Sequence, residues 1–327
     1  MNGFLNIVKT KGPTSHDVVL EIRRILDEKK VGHLGTLDPM ARGVLPVAVG
    51  NYTRLSEYLM NEDKEYLAEF MFGITTDTGD MDGQVLAMQD CSDVTASDVK
   101  RQLSKFLGKI KQVPPNFSAV HVDGRRLHNL ARKGITVDVP SRDVEIHSFE
   151  ILHFSPGVCG QGIFSIHVGS GTYVRSLARD LGEELGCGCT VSYLLRTRVG
   201  NFHLKDAVLT DTLKRGLSYE SVDRFFVDPK DALWRFPFVE IRPESVELVR
   251  HGAPLEVTDF VDPEGTLELM RKSMQESEDE RPIVICTYED PSSNAYKIAC
   301  VLSLDWVDKL FFRMKYEKVL VQGSDVR

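Results

Sequence analysis

Three short stretches hold residues whose types could do chemistry. The first, residues 31–50, reads Val-Gly-His-Leu-Gly-Thr-Leu-Asp-Pro-Met-Ala-Arg-Gly-Val-Leu-Pro-Val-Ala-Val-Gly and sets Asp38 inside a glycine-rich loop. Taken alone, an Asp-Pro pair simply starts a turn, and a lone Asp in a loop is usually solvated or capping. The second, Asp77-Thr78-Gly79, matches the aspartic-protease triplet, whose chemistry needs two carboxylates sharing a proton. No second triplet exists in the chain, so that hydrolase reading is set aside and a tight turn is expected. The third is Cys187-Gly188-Cys189, with no other Cys or His pair at zinc-finger spacing. These cysteines are expected to be small buried residues, and no metal site is expected.

Such residues need elements to hold them. Residues 4–9 alternate as a strand, and Val18, Val19, Ile22, Ile25 and Leu26 fall at helical spacing behind a cap at Thr14 or Ser15. Residues 29–43 carry Gly32, Gly35, Pro39 and Gly43, which predicts an ordered, functional loop before a strand at 44–49. Strands are expected at 65–72 and 84–88 around a polar turn at 75–83, followed by a helix marked by Val99, Leu103, Phe106 and Leu107 that ends near Gly108. Residues 144–154 and 162–169 read as neighbouring strands, 172–185 as a helix stopped by Gly186, and 191–199 as another strand. Because strands mostly follow strands, the prediction is an α+β domain over residues 1–230 with a mixed, largely antiparallel sheet flanked by helices. Residues 229–237 read as a boundary, and residues 237–327 as a small β-rich module with strands at 283–288 and 296–303. The acidic stretch 272–280 is expected to be a flexible loop.

Composition bounds the setting. The 327 residues are 42% hydrophobic and 27% charged, the balance of a globular protein with a sizeable core. The longest apolar runs fall far short of the roughly 20 residues of a membrane-spanning helix, and no secretory signal is visible, so a cytoplasmic location is expected. Six scattered cysteines are expected to be free thiols. A net charge of -8 is unusual for a nucleic-acid binder, but the charge is segregated: residues 101–145 hold 9 Lys or Arg against 4 Asp or Glu, and residues 256–280 hold 2 against 9. That pattern is compatible with RNA bound on one face. No helix offers a sustained apolar seam, so a monomer is expected.

Taken together, the twenty residues around Asp38 resemble the signature loop of the TruB family of tRNA pseudouridine synthases. Similar segments follow in family order: Lys64-Glu65-Tyr66, Thr76-Asp77-Thr78-Gly79-Asp80-Met81-Asp82-Gly83, Pro114-Pro115 with Ser118-Ala119, and Gly171-Thr172-Tyr173-Val174-Arg175 with Asp180-Leu181-Gly182. The resemblance covers residues 3 to about 203, and the chain's end is similar in position to the family's small RNA-binding PUA-like module. It implies a pseudouridine-synthase fold and isomerisation of uridine 55 in the T-loop of tRNA, with no cofactor, guide RNA or protein partner. It also implies Asp38 as nucleophile, Arg175 as its charge partner, and Tyr66 as a ring stacked on a flipped-out base. Tyr173 and Leu194 would line the uracil site, His33 would enter the RNA where the uridine had been, and Asp80 would touch the substrate. The chain departs from the family pattern with Leu34 and Arg42 in place of small hydroxyl residues, Val8-Lys9-Thr10 in place of Asp-Lys-Pro, and Phe117 in place of Tyr. Two other readings remain, a guide-RNA-dependent synthase and a protein that binds and refolds tRNA without modifying it. The first would call for a longer, basic C-terminal domain, and the second would not need Asp38.

Overall fold

The computed structural model describes residues 1–115, 117, 118, 121, 122, 125, 126, 139–217, 221–276, 281–290, 295–307 and 312–321. Local chemistry starts the fold as the sequence predicts. Strand β1 (Gly3–Lys9) leads into helix α1 (Ser15–Leu26), which Thr14 caps in a reciprocal box with Asp17. Val18, Val19, Ile22 and Leu26 bury one face of α1. The loop that follows contains a short strand β2 (Val31–His33) before β3 (Arg42–Val49). Next come β4 (Lys64–Phe72), β5 (Ile74–Thr76), β6 (Val85–Met88), helix α2 (Ala96–Leu103) and β7 (Gly108–Gln112). Beyond these lie the two-residue strands β8 (His121–Val122) and β9 (Arg125–Arg126), then β10 (Arg142–Ser155) and β11 (Gln161–Val168). Helix α3 (Val174–Leu185) ends on Gly186 in the left-handed region (φ +74°), and β12 (Cys189–Val199), β13 (Phe202–His203) and β14 (Phe226–Val227) complete the domain.

The main sheet runs β14-β1-β3-β12-β4-β11-β10-β7, with β2 beside β3 and β13 beside β12. Its pairs are antiparallel except β12 with β3, so the sheet is mixed and largely antiparallel as expected. One face is packed by α1, α2 and α3 over Phe70, Phe72, Phe164, Leu177 and Leu181. Burying each of these side chains contributes about 1.5–3 kcal/mol. The strands on either side of the polar turn do not pair with each other: β6 pairs with β5, and β4 lies between β12 and β11. The helix of α2 gives way to a 3₁₀ turn at Ser104–Phe106 before Gly108.

A second sheet, β15 (Phe238–Glu240), β16 (Ile283–Asp290), β17 (Ala295–Trp306) and β18 (Phe312–Val319), forms the C-terminal module. It shares a core with the first: Phe4, Leu34, Val44 and Tyr52 pack with Ile285, Ile298, Val301 and Leu320. Polar contacts pin the same seam, where Ile298 N–H donates to the Tyr52 hydroxyl (2.7 Å) and Asn51 Nδ2 donates to the Leu320 carbonyl (2.7 Å). The expected flexible loop at 272–280 is instead helical as far as Glu276 in α4 (Pro263–Glu276), which buries Met270 and Met274; residues 277–280 lie outside the described ones. The thiols are not all free, since Cys91 and Cys187 form a disulfide, bringing residues 96 apart in sequence to a Cα separation of 5.9 Å. Among the described residues no helix is long and apolar enough to cross a membrane.

Candidate active site

The Asp38 loop is clamped by its carbonyls. Lys9, at the end of β1, is fully buried, and its Nζ donates to the carbonyls of Thr10 (3.0 Å), Pro39 (3.1 Å) and Ala41 (2.7 Å). Burial depresses the Lys9 ammonium to about 8, against the pull of Asp38 nearby. Arg196, in β12 and 1% exposed, donates to the carbonyls of Gly35 (3.0 Å), Thr36 (3.2 Å) and Val44 (2.8 Å). Ser15, at the head of α1, exchanges hydrogen bonds with the backbone of Leu37 (2.8 and 3.1 Å). Glycine is required at the loop's exit: Gly43 has φ +105°, and a Cβ there would meet the Arg196 carbonyl oxygen at 2.1 Å. Two buried cations and a helix start therefore hold the backbone on both sides of Asp38.

Arg175 meets that carboxylate from the first turn of α3. Its Nε lies 2.9 Å from Asp38 Oδ2 and its NH2 donates to Oδ1 at 2.9 Å, a two-pronged pair. The same guanidinium donates to the carbonyls of Thr78 (2.9 Å) and Phe117 (3.0 Å), and Asp80 Oδ2 stands 3.6 Å away. Because Phe117 contributes its carbonyl, its departure from the family's Tyr leaves this contact intact. A third of the Asp38 side chain is open to solvent. Burial pushes its carboxyl above the ordinary carboxylate range, Asp80 adds to the push, and Arg175 with Lys9 opposes it. The start of α3 is held by Gln112, whose Oε1 accepts from Tyr173 N–H (2.8 Å) and whose Nε2 donates to the Tyr173 carbonyl (3.1 Å).

The structure sets Tyr66 and Leu194 on one side of the sheet. Tyr66 pairs in register with Arg196, and Ala68 with Leu194, so Tyr66, Leu194 and Arg196 share the face that carries the Asp38 loop. Tyr66 and Leu194 are buried in the same apolar cluster as Leu37 and Met40. The Tyr66 hydroxyl and Asp38 both favour the charged form of Arg196 against its burial. Tyr173 feels Asp38 and Arg175 electrostatically, and burial pushes its hydroxyl upward. His33, on β2, is only partly buried, and burial together with Arg196 and His16 keeps its imidazole below the ordinary range and hence neutral. Its Nδ1 has no hydrogen-bond partner among the described residues. Asp80 is held within the protein: Oδ1 accepts from Thr78 Oγ1 (2.7 Å) and Asp82 N–H (3.2 Å), and Oδ2 faces Arg175.

Lys9, Gln112 and Arg196 are the supporting residues that sequence reasoning did not single out. Lys9 lies within a segment noted only for its departure from the family pattern, and nothing local marks a strand Arg or Gln as buried. Leu34 is fully buried in the core shared with the C-terminal module, which suits an apolar side chain. Arg42 lies over the Tyr193 ring, 5.5 Å from its centroid.

Residues 23–174 match the model of the TruB family pseudouridylate synthase N-terminal domain, and residues 175–232 that of the tRNA pseudouridylate synthase B C-terminal domain. The chain belongs to the TruB family. It is 44% identical to tRNA pseudouridine synthase B of Moorella thermoacetica over 254 residues, 77% of this chain and 83% of that one. It is 46% identical to the protein of the same name from Symbiobacterium thermophilum over 252 residues, 77% and 82% of the two chains. The likeness thus extends past residue 203, where the motifs fade. Among solved structures, a chain of a Cbf5-Nop10-Gar1 complex superposes with a TM-score of 0.68 at 26% identity, covering 98% of this chain and 85% of that one. A chain of an H/ACA RNP bound to a substrate RNA containing 2'-deoxyuridine shares the fold, with a TM-score of 0.67 at 24% identity, covering 99% and 87%.

Proposed function

We propose that the protein isomerises uridine to pseudouridine in the T-loop of tRNA, at uridine 55, with Asp38 as the covalent nucleophile. The observation that carries this reading is the two-pronged Arg175–Asp38 pair on a backbone-clamped loop. Isomerisation breaks the N1–C1′ bond, turns the base and joins C5 to C1′. The C5 proton leaves and N1 gains one, so no oxidant, reductant or energy source is required. A carboxylate that must attack and later depart needs an ionised ground state, and Arg175 supplies the countercharge that burial would otherwise deny it. The target base is flipped into the cleft because it cannot react within its stack. Tyr66 stacks on it, Tyr173 and Leu194 line its edges, and the neutral His33 takes the vacated place in the RNA. Asp80 acts by supporting Arg175.

In this reading residues 1–230 are the catalytic domain and residues 237–327 a PUA-like module that helps hold tRNA. On the same reading the enzyme is a cytoplasmic monomer that needs no guide RNA, and the name tRNA pseudouridine synthase B borne by relatives over most of the chain supports tRNA as its substrate. The test is tritium release from C5-labelled uridine in a T-loop tRNA. Wild type should release tritium, and Asp38→Asn should not, while still binding tRNA. Substantial release by Asp38→Asn removes Asp38 from the nucleophile's role. No release from wild type despite tRNA binding favours a binding protein instead.

A further inference from the structure

Three donor side chains distant in sequence meet at the sheet face opposite Tyr66. Asp63 immediately precedes β4, His147 lies in β10 and His167 in β11. In register, Glu65 pairs with both His167 and Arg198, whereas Tyr66 pairs with Ile166 and Arg196, so His167 projects opposite to Tyr66. His147 occupies the shift in β10–β11 register between Ile146 and Ser148, and its ring centroid lies 4.6 Å from that of His167. Its Nε2 is 3.4 Å from Asp63 Oδ1, and His167 Nε2 is 4.0 Å from Asp63 Oδ2. One ligand atom from each of the three residues lies within 4.8 Å of the others.

Two arginines border the cluster, and an ordinary surface ion-pair network is the competing interpretation. Arg198 NH2 is 3.1 Å from His167 Nε2, and Arg235 NH2 is 3.3 Å from Asp63 Oδ2. A guanidinium can only donate, so the His167 Nε2 lone pair accepts from Arg198. Both arginines have other partners to fall back on: Arg198 binds Glu65 (2.7 Å) and the Gly200 carbonyl (3.2 Å), and Arg235 binds Glu62 (3.3 Å).

We propose that Asp63, His147 and His167 bind a borderline divalent transition-metal cation of the Zn2+ class, with water completing its coordination. Two imidazoles and one carboxylate suit such an ion. Tetrahedral Zn2+ with bonds of about 2.0–2.2 Å sets neighbouring donors about 3.4 Å apart. The His147–Asp63 pair already stands at that spacing, and His167, 4.0 Å from Asp63, must exchange Arg198 for the ion. The ion would tie the start of β4, which carries Tyr66, to β10 and β11. This site is independent of the catalytic assignment.

The experiment is calorimetric titration of the full-length protein with Zn2+ near neutral pH, with Co2+ absorption to separate nitrogen and oxygen ligation from binding at the remaining thiols. Wild type should take up a single equivalent without a thiolate charge-transfer band. His147→Ala and His167→Ala should each weaken binding by about tenfold or more. His147 is exposed, so its variant should fold and carry the test even if the His167 variant does not. Arg198→Gln, which removes the competing cation, should bind more tightly. No saturable uptake by wild type, a thiolate spectrum, or equal affinity in wild type and His147→Ala would overturn the assignment.

Discussion

Replacing Arg175 by Met keeps an unbranched side chain in α3 and removes only the guanidinium. Four short contacts disappear: two to Asp38 at 2.9 Å, one to the Thr78 carbonyl at 2.9 Å and one to the Phe117 carbonyl at 3.0 Å. Asp38 is left with burial and Asp80 opposing its charge, and Lys9 alone favouring it. Removing one partner of a buried ion pair costs about 3–5 kcal/mol. Because a third of the Asp38 side chain meets solvent, screening argues for the lower end, about 3 kcal/mol. At about 1.4 kcal/mol per tenfold, turnover should fall by up to roughly a hundredfold, a loss greatest at low pH that shrinks as pH rises. Attack requires the ionised carboxylate, and the variant's carboxyl titrates at higher pH than in wild type. Its rate should therefore climb with pH where the wild-type rate is already level. A carboxyl whose folded pKa lies above its unfolded value keeps its proton longer in the folded chain, so the variant should also lose stability as pH rises from the ordinary carboxylate range through the raised value. Tritium release measured across pH, with tRNA binding measured in parallel, tests the rate. A loss of the same size at every pH would show that Arg175 does not act through the charge of Asp38.

Three further predictions follow from particular contacts. Tyr66→Phe should retain more activity than Tyr66→Leu, because ring stacking on a base is worth about 1–3 kcal/mol; the reverse order in tritium release would assign the role to the hydroxyl beside Arg196. Tyr52→Phe should destabilise the protein by about 1–3 kcal/mol in urea unfolding, because it strips a buried acceptor from Ile298 N–H. An unchanged midpoint would show that this bond does not hold the module. The Cys91–Cys187 bond closes a separation of 96 residues, for which chain entropy gives up to about 4–5 kcal/mol. A reductant should lower the wild-type melting temperature and leave Cys91→Ser unmoved, and equal responses would exclude a stabilising disulfide.

The sequence by itself determined what depends on neighbours along the chain. The Thr14–Asp17 box, the apolar spacing of α1 and the stop at Gly186 are local signals, and the structure contains each of them. The glycine-rich loop around Asp38 was legible because its turns demand particular residues, as Gly43 at φ +105° illustrates. Only the tertiary structure decided what depends on distant segments meeting. Strand alternation states which face a residue takes but not which strand lies beside it, so β6 joins β5, and β12 runs parallel to β3. Lys9 and Arg196 look like solvated charges until the loop carbonyls close around them. Cys91 finds Cys187, and Asp63 finds His147 and His167, only when the sheet is assembled. The helical stretch ending at Glu276 looked like an acidic loop because two methionines that bury against the module's sheet carry its stability. Helix ends and turns are fixed by interactions a few residues long, whereas pairing, burial of charge and convergence of donors rest on long-range contacts whose partners one sequence does not name.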